Sequence, residues 1–255
     1  MQSTITNILV ERGEELFTAP RRPVEFSKEP DADALLNDLD HHPHAFVLAC
    51  VMDRQIKAER AWVIPHRIAQ ALGGFSISML SALSLAAVRL LLTKPENLHR
   101  FPERMSRNFH SAIDRIATVY GGDASRIWRD EPASAEVVLG FLQFRGVGPK
   151  IATMATNILA RDFKVPLRDY YSIDISADVH VKRVFRRLGL VSDGAKLEEV
   201  IYRARALNPE FPGLVDLPAW EIGREWCRPK TPHCVECYMR TVCPTHTMAS
   251  GHAGS

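Results

Sequence analysis

Four of the chain's five cysteines crowd together at Cys227, Cys234, Cys237 and Cys243, a C-x6-C-x2-C-x5-C spacing. Thiolates this close in sequence can fold round one centre. A tetrahedral zinc and a [4Fe-4S] cluster both satisfy the ligand count, and the spacing alone does not separate them. In a reducing compartment the crowding points to a metal site over disulfides. Cys50 stands apart in an apolar run and reads as a core cysteine. A second grouping is Gly146-Val147-Gly148-Pro149-Lys150. Two glycines let the backbone approach a ligand with its amide N–H groups outward. The positive end of a following helix adds to them, and together they suit a phosphate. An ordinary αα-hairpin would carry the same glycines, but Lys150 shifts the balance. A cation in the first turn of a helix opposes the macrodipole. The position is costly unless the charge is used or the amine is partly neutral, and a neutral amine is what nucleophilic catalysis needs. Downstream, Asp178 opens a helix with a basic face, while Asp174 is a rival carboxylate in the loop before it.

These residues need helices to hold them. Residues 141–160, FLQFRGVGPKIATMATNILA, read as helix, glycine turn, helix. Val137, Val138, Phe141, Leu142 and Phe144 make the first helix apolar. Pro149 opens the second, where its missing N–H costs nothing, and Ile151, Ala152, Ala155, Ile158 and Leu159 give it a buried face. Upstream, helices are expected over 4–17, from Asp31 as N-cap, over the all-apolar 44–52, over 58–72 up to Gly73-Gly74, over 76–92 as one piece, and over 101–120. Asp123 caps a further short helix, and Ser134 precedes the one that enters the hairpin. After the hairpin, residues 162–176 carry Lys164, Arg168, Tyr170 and Tyr171 and read as a solvated connector. The helix opened by Asp178 buries Val181, Val184, Phe185 and Leu188 and turns Lys182, Arg183, Arg186 and Arg187 outward. Helices over 193–207 and 217–226 lead into the cysteines, and the small, polar tail 246–255 is expected to fray. No stretch alternates with period two for long, so the class is all-α.

A chain of 255 residues suits one large domain or two small ones. With 46% hydrophobic and 24% charged residues it reads as globular. The net charge of +2 is too small for bulk attraction to nucleic acid, so any such binding must come from local clusters such as Arg186, Arg228, Lys230 and Arg240. No apolar run reaches membrane-spanning length, and no signal peptide is read before the first helix. The expectation is a cytoplasmic, nucleoid-associated monomer without membrane contact.

GVGPKIA (146–152) and ADVHVKRV (177–184), with the cysteine spacing, resemble the helix-hairpin-helix DNA glycosylases that carry a Gly/Pro-rich loop and an Asp. The likeness is greatest to their endonuclease III branch and spans most of the chain. It implies that Lys150 attacks the sugar carbon and that Asp178 assists. It implies that Gln55 fills the gap left by a flipped base. It implies that the turn of Arg145, Gly146, Val147 and Gly148 holds the DNA backbone. It favours [4Fe-4S] over zinc on the four cysteines. Asn157 matches a recurring Asn of the second hairpin helix, and Gly223-Arg224 recurs before the first cysteine. Departures are Arg145 in place of the usual Pro, Ala58 where an Asp follows the glutamine, RMSRNFHSA in place of a G-x-Y-x-x-K segment, and a longer 162–176 stretch.

The architecture so implied is two helical domains. A six-helix domain over 44–161 holds the hairpin. Residues 1–43 and 162–245 form the cluster domain, with the active-site cleft between the two. The implied activity is base excision: removal of a damaged base, an oxidised pyrimidine, from double-stranded DNA, followed by β-elimination at the abasic site through a lysine Schiff base. Alternatives are a monofunctional mismatch or modified-base glycosylase, a catalytically silent iron–sulfur DNA-binding protein, and a structural protein whose cluster replaces core. Lys150 argues against the first of these, as does the presence of Cys50 or Asp53 where those enzymes place a catalytic Glu.

Overall fold

The computed structural model describes residues 2–251, and among them the chain is helical with no β-strand. In chain order the helices are α1 (Gln2–Thr18), α2 (Pro30–Asn37), α3 (Pro43–Met52), α4 (Ala58–Leu72), α5 (Ile77–Ser81), α6 (Leu85–Thr93) and α7 (Pro102–Thr118). They continue as α8 (Ser134–Leu142), α9 (Pro149–Arg161), α10 (Val179–Arg187), α11 (Leu197–Leu207), α12 (Asp216–Glu225) and α13 (Pro244–Gly251). Short 3-10 turns lie at Ala124–Ile127 and Pro212–Val215. The chain divides into two compact units. One, the hairpin unit, comprises residues 21–132 and 136–167; the other, the cysteine unit, comprises 1–20, 133–135 and the chain from Arg168 onward.

The hairpin unit is built round α3. Its sequence, PHAFVLACVM, is apolar on every side, and a helix with no polar face must be enclosed. All ten of its residues are buried, Cys50 among them. Phe46 sits at the centre, its ring 5.3 Å from that of Phe163, 6.1 Å from Trp62, 6.3 Å from Phe26 and 6.4 Å from Trp128 and Phe141. α4, α7 and α9 pack on this helix. α4 ends where expected, with Gly73 in the left-handed conformation (φ +72°) as its C-cap.

Several boundaries differ from the sequence reading. Residues 21–43 belong to the hairpin unit, not with the cysteines. The reason is packing: Phe26 lies 4.8 Å from the Trp62 ring, and Glu29 pairs with Arg67 at 2.5 Å. α2 starts at Pro30 with Glu29 as N-cap, so Asp31 lies in its first turn instead of capping it. The single helix expected over 76–92 is two. Ser84 Oγ accepts the Ala87 N–H and caps a new helix there, as Ser76 does for α5 by accepting the Met79 N–H. α11 begins at Leu197, later than expected, because the Glu199 carboxylate takes the Lys196 N–H at 3.0 Å and fixes the start.

The cysteine unit packs α1 and α10–α12 over a core containing Leu9, Val181, Phe185, Val215, Ala219 and Ile222. α10 and α12 approach closely at Gly223, where a Cβ would stand 2.8 Å from His180 Cβ. His180 is thereby a packing residue, with its Nδ1 near the Gly223 carbonyl. The 162–176 stretch is not a solvated connector. Tyr170 stacks on Phe211 at 4.8 Å and meets Phe17 edge-on at 5.3 Å, while Ile173 and Ile175 are buried. The expected fraying also gives way to structure, since α13 runs to Gly251; residues 252–255 lie outside those described. Because Phe46 is enclosed by five rings, Phe46→Ala should lower stability by about 3–5 kcal/mol, read as a loss in denaturant unfolding free energy.

Candidate active site and cysteine centre

The hairpin turn closes when the Val147 N–H donates to the Phe144 carbonyl at 3.0 Å. Gly146 takes φ +87°, which a residue with a Cβ adopts only with strain. Space forbids a Cβ as well, because it would run into the Asn108 side-chain amide. The Arg54 guanidinium donates to the Gly146 carbonyl and clasps the turn from outside. Gly148 differs. It is the N-cap of α9 at an ordinary φ of −110°, and nothing lies within 4 Å of where its Cβ would be. Its carbonyl accepts the Ile151 and Ala152 N–H groups, both at 3.0 Å. The Gly148 and Lys150 N–H groups form no hydrogen bond among the described residues. Unpaired amides, the positive end of a helix and the exposed side chains of Arg145 and Lys150 thus meet at one place. Val147 is buried beneath them and anchors the turn.

Asp178 is the N-cap of α10. Its Oδ1 accepts from the His180 N–H at 2.8 Å and the Val181 N–H at 2.9 Å, so neither bond uses Oδ2. The side chain is half-buried. The rival Asp174 is committed elsewhere, with both oxygens taken by the Arg205 guanidinium at 2.7 and 2.8 Å. Lys150 belongs to the hairpin unit and Asp178 to the cysteine unit.

Gln55 is exposed at the end of α3, in the left-handed conformation (φ +57°), and its Oε1 accepts from Arg104 Nη2 at 2.9 Å. Its neighbour Arg54 is the residue that clasps Gly146, so this loop and the turn are tied together within the hairpin unit. Arg186 is exposed, but its guanidinium already reaches the Asp193 carbonyl at 3.2 Å. Arg228 is exposed beside Pro229, Lys230 and His233. Asn157 is buried in α9.

The four clustered cysteines are all free thiols, and all four line one cavity walled by Val184, Leu188, Ile222 and Trp226. They feel one another. Burial pushes the Cys237 thiol up to about 11, with Cys227, Cys243 and Cys234 adding to the effect against a hydrogen bond from Met239. Burial, then Cys243 and Cys227, raises Cys234 in the same sense. Among the described residues no three His, Cys, Asp or Glu side chains come close enough to share a single ion. Four thiols around a walled volume, with no carboxylate in its lining, are a donor set fit for a multi-atom iron–sulfur group.

Two arginines that sequence reasoning assigned to a solvent-facing basic stripe do other work. Arg187 donates to Cys227 Sγ at 3.3 Å and to the Arg228 and Pro229 carbonyls, each at 2.8 Å. Arg183 donates to the Cys227 carbonyl at 2.6 Å and to Gly223 at 2.8 Å. Both therefore brace the cysteine loop. The available signal was their spacing of one helical turn, alongside the buried Val184 and Leu188. Arg54 and Asn108 at the hairpin were also missed, since nothing in sequence ties them to Gly146, and so was Arg104 beside Gln55.

Helical throughout its described residues, with a glycine hairpin opening α9, an aspartate capping α10 and four cysteines near its end, the chain is similar in fold to solved DNA glycosylases, as the sequence resemblance implied. Among proteins it resembles is endonuclease III of Thermotoga maritima, 28% identical over 161 residues that cover 60% of this chain. The match spans 66% of that relative's own length, just short of two thirds. Endonuclease III solved as a trapped covalent intermediate with DNA superposes with a TM-score of 0.63 at 17% identity, covering 98% of this chain and 99% of that one. A thermostable thymine-DNA glycosylase superposes with the same TM-score, 0.63, at 13% identity, covering 95% and 97%. At such identities the superpositions establish the fold. No family model matches the chain.

The two hairpin glycines make unequal demands. Gly146→Ala should destabilise the protein by about 1–3 kcal/mol through its backbone conformation alone. Gly148→Ala should cost less than about 1 kcal/mol, the price of a poorer N-cap. Chemical unfolding of the two variants side by side checks the difference.

Proposed function

We propose that the protein is a base-excision DNA glycosylase with an associated lyase activity at abasic sites, acting on damaged bases of the oxidised-pyrimidine class. The observation that carries this reading is the hairpin apex, where unpaired amides and an exposed lysine share the start of α9. A duplex backbone phosphate suits the unpaired Gly148 and Lys150 amides, and the Lys150 side chain then stands next to the bound strand. The endonuclease III neighbour trapped covalently on DNA supports a covalent route. A base inside a duplex is out of reach, so the target nucleotide must be flipped out.

In this mechanism the unprotonated Lys150 nitrogen bonds to the anomeric carbon of the sugar. The glycosidic bond breaks, and its electron pair leaves with the base, which takes up a proton. Asp178 either stabilises the developing positive charge on the sugar or accepts the proton that the amine must lose. The nitrogen lone pair then expels the ring oxygen from the anomeric carbon, the oxygen takes up a proton as the sugar ring opens, and the resulting Schiff base acidifies the neighbouring sugar C–H. Loss of that proton expels the 3′ phosphate by β-elimination. Cys227, Cys234, Cys237 and Cys243 would hold a [4Fe-4S] cluster whose contribution is to fix the loop carrying Arg228, Lys230 and Arg240. The place of action proposed with this reading is the cytoplasm at the nucleoid, and the working form proposed is a monomer.

Borohydride should trap the protein on DNA containing an abasic site. Lys150→Gln should abolish trapping while duplex binding persists, because the backbone turn is unchanged. Asparagine also caps helices, so Asp178→Asn should leave α10 intact and slow base removal by about a hundredfold or more. Trapping by the Lys150→Gln variant at the normal rate would show that another amine is responsible. Base removal without any trapping by the unaltered protein would favour a monofunctional enzyme.

The cluster has its own test. Protein purified without oxygen should be brown and carry about four irons per chain. One zinc and no iron would overturn the cluster assignment. Cys234→Ser should lower soluble yield, since it frees the loop.

A further inference from the structure

α13 belongs to the cysteine centre. The Cys243 carbonyl accepts the His246 and Thr247 N–H groups, both at 3.1 Å, so Cys243 is the residue on which the helix starts. Pro244 takes the first helical position, where its missing N–H costs nothing. The start is also tied from outside. Thr245 Oγ1 donates to the Arg187 carbonyl at 2.7 Å, and the Cys243 thiol approaches the same oxygen at 3.6 Å. His246 is then the third residue of the helix. A side chain there reaches back toward the residue that opens the helix, as in a capping box. The run Cys243-Pro244-Thr245-His246 therefore sets an imidazole beside a thiol. His246 is half-buried and lines the cavity that the four cysteines share.

The rest of that lining leaves His246 as the one strong donor to a metal besides the thiols. Arg187 and Arg240 end in guanidiniums, which have no lone pair to give, and the Met239 thioether is a weak acceptor. Imidazole is a good ligand for iron. Among the described residues no three such side chains come close enough to share one ion, so the set is not spaced for a single metal. A multi-iron group asks for something else, because each iron needs only one protein donor. The cavity offers five donors for four irons, and the fifth follows Cys243 by one helical turn. We infer that His246 is a reserve ligand at the cysteine centre, paired with Cys243 and able to take the same iron when the Cys243 sulfur leaves it. The inference rests on the [4Fe-4S] reading above. Cys227, Cys234 and Cys237 have no second imidazole in the lining, so loss of one of them leaves an iron without a protein ligand.

The test removes cysteines one at a time from the full chain, purified without oxygen. Cys243→Ala should keep about four irons and the brown colour, whereas the soluble fraction of Cys234→Ala should not. Cys243→Ala combined with His246→Ala should lose iron as Cys234→Ala does. The cluster of Cys243→Ala should have a higher reduction potential, because a neutral imidazole replaces a thiolate. Pulsed EPR of its reduced form should show coupling to a nitrogen that changes when isotopically labelled histidine is incorporated. His246→Ala alone keeps all four thiols. It should surrender iron to a chelator about tenfold faster than the unaltered protein, because nothing recaptures the iron when Cys243 lets go. Loss of iron from Cys243→Ala to the level of Cys234→Ala would overturn the inference, and so would retained iron without the nitrogen coupling. Where Cys243→Ala does not fold, His246→Ala decides: iron lost at the unaltered rate shows that the imidazole is not a ligand. An unaltered protein that binds no iron would instead sink the cluster reading itself.

Discussion

The hairpin turn leaves backbone amides without protein partners where α9 begins, open to solvent or to a ligand. Here the turn is held from three directions so that it cannot relax. Gly146 supplies a conformation that other residues resist, Asn108 packs against its α-carbon, and Arg54 occupies its carbonyl. Val147, buried below, prevents the loop from lifting. The space at Gly148 stays empty, which is what an approaching phosphate needs. Fixing donors in advance means that little reorganisation remains when a ligand arrives.

The cysteine unit solves a different problem. From Cys227 to Cys243 the chain has little helix and few apolar residues to bury. Arg183 and Arg187 brace it by occupying its carbonyls and one sulfur. Burial, and after it the neighbouring thiols, raise the proton affinity of Cys237 and Cys234. The arginines then do double duty, satisfying backbone and placing positive charge beside thiolates.

Asp178 illustrates how a helix cap can leave half of a carboxylate available. One oxygen holds two amides at the start of α10, which orients the carboxylate. The other is not spent on that task. Asp174, though nearby in sequence, has both oxygens tied to Arg205, so the same residue type in the same loop has no capacity left. The distinction between them is one of hydrogen-bond accounting.

Much of this was legible in the sequence, because it depends on local rules. Apolar runs fixed the helices, Gly73 and Asp178 acted as caps where cap chemistry requires them, and the cysteine spacing and the glycine hairpin followed from residue type alone. Where reading failed, a contact between distant residues had intervened. Phe26 and Glu29 drew residues 21–43 into the hairpin unit, Phe17 and Phe211 captured Tyr170, and Ser84 outbid a continuous apolar pattern by capping a new helix. The partners of the site were equally hidden. Arg54 meets Gly146 across 92 positions, and Arg104 meets Gln55 across 49. Sequence therefore determined which residues could do chemistry. Only the tertiary structure decided which way they face, because orientation depends on partners that no local pattern encodes.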